Sequence, residues 1–429
     1  MVFVVLVLLL ALCLVTGNLL ATTVGLLGLV ILYFEFGANF TVIGNGIWNV
    51  VNSFTLTAIP VFILLGAILE QTGLAQRIYS AVSPLFERLP GKLLQTNIGV
   101  ATIFSAISGS STATTAVTGS VAYKQLDRLG YDRSAVVGSL GAGGTLGILI
   151  PPSLALIIYG SWMDVSIGRL FIAGVVPGIM LSSLFMIYIG VTAKLRPEIV
   201  PETERPIPLG AALRMSAQAW PFVVLVFAVL GTIFLGLATP TESAALGVVA
   251  AILLALLYRE LSLVKLWRAL RATVVTFSTL VLILVGALVL GQAIALIGLP
   301  KQLILLVAES GLSPTMIIIM VYATYVVLGC FVGPLEMMLI TLPLTFPLVT
   351  GLGYDPVWFG IVLVIVSEIG LLTPPLGVNL FVMMAVTGGR VSLGEAATAC
   401  LPYWLLMLVL LAIITVEPRI VLVLPDLVK

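Results

Sequence analysis

Histidine is absent from this sequence of 429 residues, and charged residues make up only 9% of it. Without histidine, the chain can form neither an imidazole proton relay nor a histidine-bound haem. A typical soluble domain carries about 25% charged residues, so this chain has too few to cover a water-soluble globule of its size. The net charge of +1 also argues against nucleic acid as a partner.

Cysteine is scarce, and Cys13, Cys330 and Cys400 lie far apart in apolar segments. Zinc sites and disulfide frameworks need closely spaced or paired cysteines, and the sequence has no Cys-x-x-Cys motif. We therefore expect free thiols that serve as small packing residues, and we expect no bound cofactor.

Apolar residues are abundant: 61% of the chain is hydrophobic, and the mean hydropathy is +1.26. Many apolar runs approach or exceed the roughly 20 residues that a helix needs to cross a lipid bilayer. The composition predicts an all-α polytopic membrane protein. The first segment, 1–20, is as hydrophobic as a signal sequence but lacks a basic start, so we expect it to be a membrane segment.

A double proline interrupts two of the apolar runs. The first interruption, at 147–153, reads GILIPPS, and the second, at 370–376, reads GLLTPPL. Proline removes a backbone donor and breaks a helix, and lipid tolerates a break only where the freed groups face protein, water or a ligand. We predict two broken helices, about 135–160 and about 358–388, of the kind that form binding sites in transporters.

Two further stretches predict re-entrant hairpins. The stretch 96–122 carries a polar run from Ser108 to Thr112 at its centre and is flanked by basic residues on both sides. Positive charge beyond both ends places the two ends on the same side of the membrane. The stretch 314–350 is interrupted at Gly333 and Pro334, and we predict a second hairpin there.

Short motifs recur at nearly constant spacing, which predicts an inverted repeat of five helices and one hairpin in each half. The repeats are 1–193 and 215–429, joined by a polar linker at 194–214. The lysine and arginine distribution places the linker in the cytoplasm and both termini outside. We also expect a basic segment, 259–271, to lie flat on the membrane before a span at 272–299, and a last span at about 401–423.

Some side chains in these segments suit ion or substrate binding. Hydroxyls and free carbonyls at a hairpin tip are hard ligands for a small cation such as Na⁺, and half-helix N-termini suit an anionic substrate. Close helix packing is the alternative role for the small polar residues. Asn379 either binds substrate or satisfies the broken backbone. Glu336 either serves a cation or proton or caps its helix, Glu242 is better explained as a cap, and Glu368 has no assigned role.

Four motifs together resemble the large membrane subunit of the tripartite ATP-independent periplasmic (TRAP) transporters. They are SGSSTAT at 108–114, GTLGILIPPS at 144–153, TPTE at 239–242 and TPPLGVN at 373–379. The resemblance implies a sodium-driven importer of small organic acids with an elevator mechanism in the bacterial inner membrane. It also implies two partners, a small four-helix membrane subunit and a periplasmic substrate-binding protein.

The resemblance further implies two sodium sites with Na⁺ as the coupling ion. The first comprises Ser108, Ser110, Ser111, Gly143, Thr145 and Gly147. The second comprises Gly333, Glu336, Thr373 and Gly377. Substrate is expected between the two sites, near Ser111, Thr112, Ser153 and Asn379.

A rival within transport is a stand-alone sodium- or proton-coupled carboxylate transporter or antiporter of related fold, which uptake without a soluble receptor would favour. An intramembrane enzyme is disfavoured, because the sequence has no histidine and its few deep carboxylates form no recognisable catalytic pair. A channel is disfavoured because neither half carries a ring of pore-lining charges.

Overall fold

The computed structural model describes residues 20–36, 40–53, 55–201 and 208–427. Within these ranges the chain forms helices and no strand, which confirms the all-α prediction. Six of these helices are long and apolar enough to cross a membrane, or seven if two bent neighbours near the start form one span. Residues 1–19 of the predicted first segment, Cys13 included, lie outside the described ranges.

The helices fall into two series separated by the linker. Those before it are α1 (Leu20–Phe36), α2 (Phe40–Val51), α3 (Ala58–Gln71), α4 (Leu74–Phe86), α5 (Leu93–Ser108), α6 (Ser111–Leu129), α7 (Arg133–Thr145), α8 (Leu154–Met163) and α9 (Ile167–Leu195). Those after it are α10 (Leu209–Phe234), α11 (Pro240–Leu257), α12 (Leu263–Leu296), α13 (Leu299–Glu309), α14 (Pro314–Gly329), α15 (Pro334–Gly351), α16 (Pro356–Leu371), α17 (Val378–Val386), α18 (Leu393–Val416) and α19 (Arg419–Leu427). The order of a helix pair, a broken helix and a long helix from α5 to α9 recurs from α14 to α18.

Two helix pairs meet at short tips. Residues 109 and 110 join α5 to α6, and residues 330–333 join α14 to α15, and the helices of each pair pack against one another. Both α5 and α14 have 16 residues and rise about 24 Å, which is less than the roughly 30 Å of the hydrocarbon core. Neither α5 nor α14 is among the six described helices that are long and apolar enough to cross a membrane.

Both double prolines fall between helices. The first lies in the break between α7 and α8, and the second lies in the break between α16 and α17. Both Pro–Pro peptide bonds are cis. The hairpins and the broken helices are therefore the places where backbone groups are released from regular helix.

Helices of the two halves interleave around these breaks. The helix α6 packs against α17, α7 packs against α18, and α8 packs against both α15 and α16. One large hydrophobic core extends through both halves, and a smaller core joins α1 and α2 to the C-terminal part of α12. The tips and breaks of both halves thus share one interior.

Side-chain caps fix the starts of several long helices. Thr239 and Glu242 form a capping box at the start of α11, which confirms the interpretation of Glu242 as a cap. Ser392 and Glu395 form the same arrangement at the start of α18. Ser166 caps α9 through the backbone N–H of Arg169, so the recurring Val-Ser-x-Gly motif marks a helix start in both halves.

Two expectations outside the hairpins are wrong. The basic segment 259–271 does not form a separate surface helix, because α12 continues unbroken for 34 residues. No proline interrupts this stretch, and lysine and arginine side chains at the end of a span can extend to the interface. The last span is 393–416 rather than 401–423, and α19 follows it. The hydrophobicity pattern also does not predict the short helices α4 and α13.

Candidate functional site

Both hairpin tips and both helix breaks border one cavity of ≈ 290 Å³. The first tip contributes residues 109–112, and the second tip contributes residues 333–336. The lining residues from the two breaks are Ile148, Leu154, Leu371 and Val378. Each half of the chain therefore supplies one tip and one break to the same cavity.

Four helices begin at this cavity. The first residues of α6, α8, α15 and α17 line it, and they are Ser111, Leu154, Pro334 and Val378. The free N–H groups of a first helical turn carry partial positive charge, which attracts anions. The helices α5 and α16 end at the cavity, and the free carbonyls of a last turn attract cations. Glu336 is the one charged side chain among the lining residues.

The first tip presses closely against the first break. Gly109 has a φ of 62°, a left-handed conformation that glycine adopts readily, and its carbonyl accepts a hydrogen bond of 3.3 Å from the N–H of Leu154. A Cβ atom on Gly147 would lie 2.5 Å from the carbonyl oxygen of Ser110. The contact between tip and break therefore requires glycine at 147.

The second tip meets the second break in the same way. The carbonyl of Cys330 accepts a hydrogen bond of 3.1 Å from the N–H of Leu376. A Cβ atom on Gly370 would lie 2.6 Å from the Cα of Gly329, so the two backbones touch here as well. Cys330 and Cys400 are free and buried, as the sequence suggests.

Three residues of the predicted first sodium site lie at the first tip. Ser110 caps α6, and its Oγ accepts the backbone N–H of Ala113 at 3.4 Å. Ser111 follows it and lines the cavity. Ser108 ends α5, and its hydroxyl shares a hydrogen bond of 2.8 Å with the hydroxyl of Thr114.

The other three residues of this predicted site belong to the first broken helix. Gly147 touches the tip, as described above. Gly143 lies earlier on α7, where a Cβ atom would come within 2.8 Å of the Cβ of Ala101 on α5. The Thr145 hydroxyl donates to the carbonyl of Ala142 at 2.7 Å. The structure thus brings Gly147 to the serines and leaves Gly143 and Thr145 within the packing of α7.

The predicted second sodium site divides between tip and break. Gly333 and Glu336 line the cavity, and the Glu336 carboxylate lies where a side chain of Gly333 would be. Gly377 has a φ of 40°, and a Cβ atom there would lie 3.0 Å from the carbonyl oxygen of Thr373 and 3.2 Å from that of Leu371. Backbone oxygens therefore gather around Gly377.

The residues predicted to bind substrate are not equally placed. Ser111 and Thr112 line the cavity. Ser153 is fully buried and caps α8, and its Oγ accepts the N–H of Leu156 at 3.3 Å. Asn379 is fully buried, and neither amide atom has a hydrogen-bond partner among the described residues. Ser153 and Asn379 are each next in sequence to a lining residue.

Two side chains at the site have roles that the sequence does not predict. Glu368 on α16 accepts a hydrogen bond from the Ser111 hydroxyl. Trp404 on α18 donates from its indole N–H to the Thr373 hydroxyl at 3.0 Å, and that hydroxyl donates to the carbonyl of Ile369 at 2.6 Å. The signal for Glu368 was an acidic residue in an apolar run, whereas nothing in the sequence pointed to Trp404.

A comparison with protein families identifies the class of protein to which this chain belongs. The family model described as "Tripartite ATP-independent periplasmic transporter, DctM component" matches residues 3–420. The chain belongs to this family. The resemblance of the four motifs to the large TRAP subunit is thereby confirmed, and membership identifies a multi-pass membrane permease.

TRAP permeases similar to this chain differ in length. The C4-dicarboxylate TRAP transporter large permease protein DctM of Pseudomonas aeruginosa is 36% identical over 374 residues, which cover 87% of this chain and 86% of that protein. The isethionate TRAP transporter permease protein DctMQ of Oleidesulfovibrio alaskensis is 31% identical over 371 residues. That match covers 86% of this chain and 58% of the longer relative. These relatives are permeases and not enzymes.

A solved transporter shares the fold of this TRAP permease. The YdaH transporter of Alcanivorax borkumensis matches with a TM-score of 0.66 over 89% of each chain, at 12% sequence identity. At this identity, the likeness concerns the fold alone.

Proposed function

We propose that this TRAP permease imports a small organic acid across the bacterial inner membrane and is driven by a sodium gradient. The observation that carries the proposal is the single cavity bordered by two hairpin tips and two helix breaks. Helix N-termini at the cavity provide partial positive charge for an organic anion. Helix C-termini and hydroxyls beside them provide oxygen ligands for Na⁺.

The helix N-termini and hydroxyls at the cavity support an anionic substrate. Organic acids carry anionic oxygens that accept hydrogen bonds from free backbone N–H groups and from hydroxyls. The relatives named above are a C4-dicarboxylate transporter and an isethionate transporter, and both ligands are small anions. In this proposal Thr112 contacts the substrate directly, and Ser111, Ser153 and Asn379 lie beside it. The free amide of Asn379 supports such a role.

Two sodium sites complete the proposed chemistry. The first uses oxygens at the first tip and first break, with Ser108, Ser110, Ser111 and Gly147 around it, whereas the predicted Gly143 and Thr145 lie within the packing of α7. The second uses Gly333, Glu336, Thr373 and Gly377, where backbone carbonyls gather and one carboxylate is at hand. Cations at both sites would offset the negative helix ends and the Glu336 charge. Occupied sites would then favour entry of an anion.

Movement of a rigid unit past a scaffold accounts for transport in this proposal. The moving unit consists of both hairpins and both broken helices, which pack together, and the other helices form the scaffold. The recurring order of helices from α5 to α9 and from α14 to α18 supports an inverted repeat. In this proposal the lysine and arginine distribution is the reason for assigning the linker to the cytoplasm and both termini to the periplasm.

Two protein partners belong to the same proposal. A periplasmic binding protein delivers the organic acid, and a small four-helix membrane subunit extends the scaffold. The DctMQ relative extends beyond the region that this chain matches, which supports a small subunit joined to the large one in that protein.

Uptake into proteoliposomes tests the function. The complete transporter is reconstituted with its binding protein loaded with radiolabelled substrate, under an inward gradient of either Na⁺ or K⁺. The proposal predicts uptake with Na⁺ and the loaded binding protein, and none when either is left out. Equal uptake with K⁺ would refute sodium coupling. Equal uptake of free substrate without the binding protein would favour a stand-alone transporter or antiporter.

A further inference from the structure

Glu368 is placed to act on the cavity without lining it. It lies on α16, three residues before Leu371, which lines the cavity, and residues three apart share a face of a helix. The side chain is 1% exposed. Its carboxylate accepts a hydrogen bond from the hydroxyl of Ser111, which lies 257 residues earlier in the chain. The bond joins the first hairpin tip to the second broken helix.

This hydrogen bond decides which ligands the Ser111 oxygen can serve. A serine hydroxyl has one proton to donate and two lone pairs to accept. Because Ser111 gives its proton to the ionised Glu368 carboxylate, only lone pairs remain for the cavity. Lone pairs bind a cation, whereas the anionic oxygens of an organic acid need a donor. Ser111 is therefore polarised toward a cation and away from the organic anion.

The neighbouring hydroxyl of Thr112 differs from that of Ser111 in that it does not donate to Glu368. It lies 3.2 Å from the Ser110 hydroxyl, and either atom of that pair can donate. The Ser110 oxygen already accepts the N–H of Ala113. When Ser110 donates to Thr112, the Thr112 proton remains free for the cavity. Thr112 also lies in the first turn of α6, where the free N–H groups favour anions.

The second oxygen of the Glu368 carboxylate supports a cation nearby. It is buried and has no hydrogen-bond partner among the described residues. A buried carboxylate with one donor is costly unless an opposite charge or a proton compensates it. A cation bound by the Ser111 oxygen would be close enough to supply that charge.

We propose that Glu368 is a positioning residue, which fixes the Ser111 hydroxyl as a cation ligand and leaves Thr112 to bind the organic anion. The proposal rests on the sodium-coupled function above and separates two neighbouring side chains that the sequence motif places in one group. It also gives the second half of the chain a direct part in the first cation site.

Sodium titrations of the purified complete transporter test the positioning role. Thermal unfolding is followed as Na⁺ rises, with choline chloride keeping the ionic strength constant, because bound ligand stabilises the folded state. Glu368→Leu removes the acceptor, and loss of a hydrogen bond to a charged group should raise the half-saturating Na⁺ concentration about tenfold. Glu368→Gln keeps a carbonyl that accepts the hydroxyl but loses the negative charge, so its half-saturating Na⁺ concentration should rise, by no more than about threefold.

A double-variant comparison separates positioning from general damage. Ser111→Ala should also raise the half-saturating Na⁺ about tenfold, and adding Glu368→Leu should raise it no further, because both changes remove one interaction. Ser367→Ala is the matched control. Ser367 is equally buried on the same helix, but its hydroxyl donates to the carbonyl of Leu363 within α16. This control should leave the sodium response unchanged.

Uptake at saturating Na⁺ tests the division between the two hydroxyls. Glu368→Leu should change the half-saturating concentration of loaded binding protein by less than about twofold, whereas Thr112→Val should raise it about tenfold. The proposal would be overturned if the increases in half-saturating Na⁺ caused by Ser111→Ala and Glu368→Leu multiplied in the double variant. A Glu368→Gln variant as impaired as Ser111→Ala would also overturn it, and this comparison remains if Glu368→Leu does not fold.

Failure of this inference can be distinguished from failure of the proposed function. A wild-type transporter that neither binds Na⁺ nor needs it for uptake would remove the sodium-coupled function itself. A wild-type transporter that responds to Na⁺, together with a Glu368→Leu variant that responds equally well, would remove only the role of Glu368.

Discussion

At the first tip the carbonyl of Gly109 accepts a hydrogen bond from Leu154, and at the second tip the carbonyl of Cys330 accepts one from Leu376. In both places a glycine of the broken helix touches the backbone of the hairpin. The side chains differ completely. The first tip presents three successive hydroxyls at 110–112, whereas the second tip presents none at 333–336 and carries one carboxylate.

The comparison separates what the backbone does from what the side chains do. Equivalent backbone contacts place helix ends from both halves at the cavity. Both halves therefore contribute the partial charges of helix termini there. Different side chains then give each tip different oxygen atoms: hydroxyls at the first, of which that of Ser111 donates to Glu368, and the Glu336 carboxylate at the second. We therefore expect the two tips to tolerate the same backbone changes poorly and to respond differently to side-chain changes.

The largest effects should come from the two contact glycines. Gly147→Ala and Gly370→Ala each place a Cβ atom within 2.7 Å of backbone atoms. Overpacking of this kind costs about 1–3 kcal/mol of folding free energy, and displaced tips should lower uptake by about a hundredfold. Gly394→Ala is the control, since nothing lies within 4 Å of its Cβ position. Thermal unfolding and uptake measure the two effects. A severe loss of stability and uptake for one glycine variant, with none for the other, would show that the two tip–break contacts are not equivalent.

A smaller effect is expected from Glu336→Gln, which tests the charge that distinguishes the second tip. The amide keeps the shape of the side chain but removes its charge, so a cation site there should need about tenfold more Na⁺. Glu309→Gln, at the exposed end of α13, is the control. Sodium titration of uptake provides the measurement. An unchanged sodium requirement would exclude Glu336 from the second site.

The smallest effect should follow from Trp404→Phe. Phenylalanine keeps most of the packing but cannot donate to the Thr373 hydroxyl, and loss of one neutral hydrogen bond should raise the required Na⁺ about threefold. Trp267→Phe is the control, because Trp267 is 69% exposed on α12. The same sodium titration applies. An effect as large as that of Glu336→Gln would mean that Trp404 does more than orient Thr373.

Local chemistry in the sequence could locate the helix ends at the site. Neither residue of a double proline has a backbone N–H to donate within a helix. Gly109 ends α5 in a left-handed conformation, and Ser110 caps the N-terminus of α6. These signals act within a few residues, so they survive without knowledge of the fold. The same holds for the capping box of Glu242, which the sequence alone explains.

Contacts between distant segments could not be predicted in this way. Glu368 and Ser111 are far apart in the chain, and only the packing of α6 and α16 into one interior brings them together. In the sequence, Trp404 cannot be distinguished from an interfacial or core tryptophan. Only the structure shows that its indole N–H donates to Thr373. The prediction of a separate surface helix at the start of α12 was wrong because it relied on the basic charge of that segment. The segment contains helix-forming residues without interruption and continues into the span.

In our proposal the organic acid binds where the two tips and two breaks meet. A cryo-electron microscopy map of the complete transporter, prepared with Na⁺ and substrate and again with K⁺ alone, tests it most directly. The account predicts substrate density in contact with Thr112 and the start of α17, accompanied by ion density at both tips, in the first preparation only. Substrate density outside this cavity, or the same density in both preparations, would contradict it.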